Sequence, residues 1–204
     1  MGLAPQNRRL YSTAAVALLV STISSPADAH LIATGSGPFF DGLFHSLVSV
    51  EGMLAVAGVA VLAGLSGKAG ARAAVIVYPL AWLAGALYGI RFGAAPLQPW
   101  LSIATFLGLG LAIATKIRLA PLAVGALALL VALAFGPTAT YDLPALSSTS
   151  LFLLGSVSAV SVPFIVISAV ALALGDGWTL IALRALGSWL AATGLLLLGW
   201  TLRG

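Results

Sequence analysis

The sequence predicts an all-α fold: a polytopic transmembrane helix bundle of about six spans after a cleaved signal peptide. Three observations carry that prediction. Hydrophobic residues make up 61% of the 204-residue chain and charged ones only 7%, far below the quarter or so typical of a soluble domain. Mean hydropathy is +1.13. The apolar residues come in long unbroken runs, which suit helices, rather than in the alternation of barrel strands. The net charge of +4 rests on nine basic residues scattered between these runs. It reads as a topology signal, and no nucleic-acid partner is expected. The chain has no cysteine, which excludes disulfides and thiolate-bound metals and leaves oxygen and imidazole donors.

Taken in order, residues 1–29 read as the signal peptide. Arg8 and Arg9 form its basic start, 14–20 its short apolar core, and Ala27-Asp28-Ala29 its cleavage site. Residues 30–204 would then be a single transmembrane domain beginning at His30. A free α-amine beside an imidazole makes a compact chelator; the plainer reading of His30 is the flank left by the cut. Residues 38–47 suggest a re-entrant or interfacial half-helix, tolerated at that depth where protein or a wet cavity covers it. Spans are expected at about 48–65, 73–90, 100–115, 119–135, 149–174 and 178–202. Gly85 and Gly89 give the second a small-xxx-small face, and Pro163 interrupts the fifth. Trp100, Trp178 and Trp200 lie near span ends, as interface-belt residues do.

The stretch 37–54 concentrates the chemistry. Asp41, His45 and Glu51 fall within eleven residues of a chain that is otherwise almost uncharged. Asp41 and His45 are four apart and share a helical face. Glu51 joins them only if the backbone bends, which Gly42, Ser49 and Gly52 would allow. Carrying an ionisable group to the bilayer centre costs about 3 kcal/mol, which argues for function; hydration at the headgroup level is the bland alternative. Six spans after a cleaved leader place both mature termini outside, on the periplasmic side of a bacterial inner membrane. Arg8, Arg9, Lys68, Arg72, Lys116, Arg118 and Arg184 then fall inside, and Arg91 and Arg203 outside. Arg184 would snorkel or pair with Asp176.

With those residues in place, the chain resembles the HupE/UreJ family of hydrogenase and urease accessory membrane proteins. The likeness lies in the order of leader, amino-terminal His and the line Gly37-Pro-Phe-Phe-Asp-Gly42-Leu-Phe-His45-Ser-Leu47-Val-Ser-Val-Glu51-Gly52-Met-Leu54-Ala55. The segment Arg184-Ala-Leu-Gly187-Ser-Trp is similar to the family's last helix, and Asp142-Leu-Pro144 stands where the family has Glu-x-Pro. Ser46 replaces a family Pro, Glu51 an Asp and Gly52 a second His, and the loop before Asp142 has no His. The resemblance implies a nickel or cobalt permease or metal-delivery protein, with His30, His45, Glu51 and Asp41 as the remaining ligands. No resident cofactor is implied; a divalent ion enters only as cargo. The expected partners are the lipid bilayer and a metalloenzyme maturation system or membrane complex.

Enzymatic readings find little support. The glycines of 64–70 lack the Lys-Ser/Thr ending of a phosphate loop, and no elbow motif frames a nucleophilic serine. The competing reading is a non-transporting membrane subunit that keeps the bundle and has lost most ligands. The third, fourth and fifth spans offer few polar groups for a path, chiefly Ser102, Thr105, Ser156, Ser158, Ser161 and Ser168.

Overall fold

The computed structural model describes residues 35–94, 97–141 and 148–203. The signal peptide, His30 and the Asp142-Leu-Pro144 turn lie outside the described residues. Among those described there are seven α-helices: α1 Pro38–Val48, α2 Val50–Leu65, α3 Lys68–Phe92, α4 Pro99–Ala114, α5 Pro121–Phe135, α6 Thr149–Ala173 and α7 Thr179–Leu202. A 3-10 helix, Gly136–Thr140, continues α5. The helices begin where the sequence allows a chain to enter one. Proline opens α1, α4 and α5 at the position whose N–H has no helical partner. Ser148 caps α6 by accepting from the Leu151 N–H at 3.4 Å.

Of the expected six crossings, the described helices support four or five by length and composition. Helices α3, α6 and α7, and α5 with its 3-10 extension, are each long and apolar enough to cross a bilayer. The α1–α2 pair passes only as a unit and is bent by 75°. Helix α4 has 16 residues, about 24 Å at 1.5 Å per residue, short of a hydrocarbon core of about 30 Å. Among the described residues there are therefore four long helices, a broken pair and one short apolar helix. A hydropathy pattern marks an apolar run but not where its backbone breaks, and Ser49 supplies the break here. It leaves the helical conformation at φ −68°, ψ 94° and accepts from the Gly52 N–H at 3.3 Å, ending α1 and capping α2.

Helix α2 is the axis of the bundle. Every residue from Gly58 to Leu65 is buried, and α2 touches all six other helices. With no water-driven force between apolar helices in lipid, close backbone approach has to hold such a bundle. Glycines provide it. A Cβ added at Gly42 or Gly155 would run into the backbone carbonyls of Phe152 and Phe39, so α1 and α6 cross there at backbone contact. At the α4–α7 seam a Cβ on Gly187 would stand 2.7 Å from that of Ile113, and one on Gly194 2.9 Å from Leu107 Cγ. Gly85 and Gly89 do serve close packing, against Gly136, Pro137 and Thr140 of the 3-10 turn.

Lys68, Arg72, Lys116, Arg118 and Arg184 gather at one end. The Leu119 N–H donates to Ser66 Oγ at 3.2 Å, Arg118 meets Asp176 at 3.9 Å, and Arg184 Nε donates to the Ala114 carbonyl at 2.7 Å. The turns carrying Lys68, Arg72, Lys116 and Arg118 thus lie together. Of the two expectations for Arg184, snorkelling or pairing with Asp176, the ion pair is not the one seen among the described residues; the guanidinium closes the end of α4, where unpaired carbonyls favour a cation. Trp178 and Trp200 are 78% and 83% exposed at opposite ends of α7. Their 22-residue spacing corresponds to about 33 Å, matching two interfacial belts.

Candidate functional site

Asp41, His45 and Glu51 lie on the two helices that meet at the α1–α2 break. Asp41 and His45 sit one turn apart on α1, both half-buried. Their neighbours Gly42 and Ser46 form the buried face that packs on α6. The His45 ring lies 6.0 Å from that of Phe152, tilted by 53°. Glu51 falls beyond the break, exposed in the first turn of α2, where a helix N-terminus favours a carboxylate. Its Oε2 accepts from Ser102 Oγ at 3.2 Å, tying the mouth of α2 to the start of α4.

The bend puts the three ionisable residues on consecutive helices but does not gather them into one ligand set. Among the described residues no three His, Asp or Glu side chains could jointly hold a metal ion. Asp41 and His45 form a natural pair on one face; Glu51 has its own partner in Ser102.

Below this mouth lies a buried polar relay that sequence reading did not assemble. Ser46 Oγ and Ser156 Oγ are 2.7 Å apart, and Trp82 Nε1 donates to Ser156 Oγ at 3.1 Å. Three helices, α1, α3 and α6, are joined by one serine hydroxyl. Trp82 stacks on Tyr78 at 6.2 Å between centroids, and Tyr78 on Phe164 at 4.7 Å. The Tyr78 hydroxyl is buried and has no hydrogen-bond partner among the described residues. Pro79 and Pro163 flank this stack, and each removes the helical donor for a carbonyl one turn earlier, at Val75 and Ala159. The available signal was a tyrosine next to a proline in mid-span, far from the interface where tyrosine is usual.

The other serines of α6 are less informative. Ser158 and Ser161 donate to carbonyls one turn back, at Leu154 and Val157, as serines in apolar helices commonly do. Of Ser156, Ser158 and Ser161 only Ser156 joins the interior network.

Fold and site together define a polytopic helical membrane protein with a broken entry helix, a carboxylate at the break and a buried serine–serine–tryptophan relay. The chain belongs to the HupE / UreJ protein family, whose model matches residues 17–197. No curated protein and no solved structure gives a match.

Proposed function

We propose that this HupE/UreJ member is a small divalent-metal permease, of nickel or cobalt type, that takes its ion at the broken helix. The supporting observation is the break at Ser49. It sets Asp41 and His45, half-buried, on the turns before a 75° bend and Glu51, held by Ser102, on the turn after it. Irregular backbone at membrane depth is tolerated where it lines a cavity or path, and transporters place ion sites at such discontinuities. Imidazole suits nickel, and carboxylates supply the countercharge. Asp41 and His45 offer two donors; His30, at the start of a chain cleaved after Ala29, would add ring and amine. The basic end would face the cytoplasm of a bacterial inner membrane, leaving the mouth and both mature termini outside.

A second reading has its own observation. Among the described residues no three-donor group forms, and the polar groups of the interior are a few hydroxyls and one indole. That pattern suits an accessory subunit that delivers no ion itself and joins a metalloenzyme maturation complex. Calorimetry of the purified mature chain with Ni²⁺, Co²⁺, Zn²⁺ and Cu²⁺ separates the two. Micromolar binding weakened by His45→Ala, and by a residue added ahead of His30, supports the permease. Absence of specific binding to intact protein overturns it and favours the accessory role.

A further inference from the structure

At the basic end, away from the broken helix, a groove of about 570 Å³ runs between α3 and α6. Lys68 and Arg72 stand at its mouth, and Ile76, Ile165, Ala169 and Leu172 are among its apolar walls. The two cations are four apart on α3 and share a face, an arrangement that repels within a helix. Among the described residues neither has an ion-pair partner; the ion pair at this end joins Arg118 to Asp176. From Lys68 to Ile76 the groove follows α3 for about 12 Å. An unneutralised cationic doublet above an apolar trough matches a ligand with an anionic head and a hydrocarbon tail.

We propose that this groove is a binding site for an anionic phospholipid. The phosphodiester sits between Lys68 and Arg72, and one acyl chain lies along Ile76, Ile165 and Ala169. Basic pockets between transmembrane helices recognise such headgroups. A free phosphate would leave the apolar walls unused, and a partner helix would leave the cations uncompensated. A zwitterionic lipid brings its own ammonium to offset the attraction. The site is separate from the metal mouth and does not depend on the permease reading.

Native mass spectrometry of the full chain, titrated with phosphatidylglycerol or with phosphatidylcholine of the same acyl chains, tests the site. One phosphatidylglycerol should be retained at concentrations where phosphatidylcholine is not. The double variant K68Q/R72Q should weaken that binding about thirtyfold, taking about 1 kcal/mol per cation and tenfold per 1.4 kcal/mol. Ala169→Phe, which fills the trough and leaves both charges, should weaken it as well. Arg118→Gln should leave it unchanged, and soluble glycerol phosphate should not displace the lipid. Unchanged binding in K68Q/R72Q, equal retention of phosphatidylcholine, an equal loss in Arg118→Gln, or displacement by glycerol phosphate would each overturn the proposal. Should K68Q/R72Q fail to fold, the charge-keeping K68R/R72K decides together with Ala169→Phe: the first must retain the lipid and the second lose it.

Discussion

Glycine-to-alanine substitutions at three helical positions should give opposite results, and the structure says which. Alanine is the better helix former by about 1 kcal/mol, so an unobstructed site should gain. Gly108 on α4 is such a site, with nothing within 4 Å of an added Cβ. At Gly155 on α6 and Gly42 on α1 the new methyl meets backbone, the Phe39 and Phe152 carbonyls. Backbone cannot rotate away, so the helices must part. A separation on the order of 1 Å forfeits a quarter to a half of each dispersion contact, within the 1–3 kcal/mol, roughly, that overpacking costs. It also stretches the 2.7 Å Ser46–Ser156 bond, one turn from Gly42 and adjacent to Gly155, for about 1 kcal/mol more. Setting about 1 kcal/mol of helix propensity against these losses, Gly155→Ala should destabilise by about 1–3 kcal/mol, and Gly42→Ala similarly. Gly108→Ala should be neutral or stabilising. Thermal unfolding of the four proteins in one detergent reads the order directly. If Gly155→Ala and Gly42→Ala melt at or above the parent, the α1–α6 contact is not as close as described and the reasoning fails.

Ser156→Ala should cost about 2 kcal/mol, because the Trp82 indole and the Ser46 hydroxyl lose a shared buried partner; an unchanged melting temperature would refute the relay. Tyr78→Phe should be neutral or stabilising, since the hydroxyl removed is buried without a partner among the described residues, and a loss above about 1 kcal/mol would reveal a bond to something else. Lys116, at φ 60°, closes α4 in the left-handed region, so Lys116→Gly should raise stability by about 1 kcal/mol in the same assay. Ser102→Ala frees the Glu51 carboxylate and should weaken metal binding about fivefold, a loss of about 1 kcal/mol. Unchanged affinity would remove Glu51 from the proposed ion path.

Helical class and family are legible in the sequence, and so is the course of the two last helices. The expected 149–174 and 178–202 spans appear as Thr149–Ala173 and Thr179–Leu202, because an apolar run bounded by turn residues can satisfy its backbone in lipid only as a helix. A half-helix over 38–47 is legible too, from Pro38 and the glycines around three ionisable residues, and the helix runs Pro38–Val48. Where side chains meet is set by helix packing and is not written in any local pattern. In the sequence Ser46 stands where the family has a proline, and nothing local marks Trp82 or Ser156 as its neighbours. Their hydrogen bonds span 110 and 74 residues of sequence, and no local periodicity encodes such a separation. For Arg184 the sequence offers snorkelling or the near neighbour Asp176, while its carbonyl partner lies 70 residues away. In a chain with so few charges, polar groups find their partners through helix packing, and that packing is set by which glycines face which backbones.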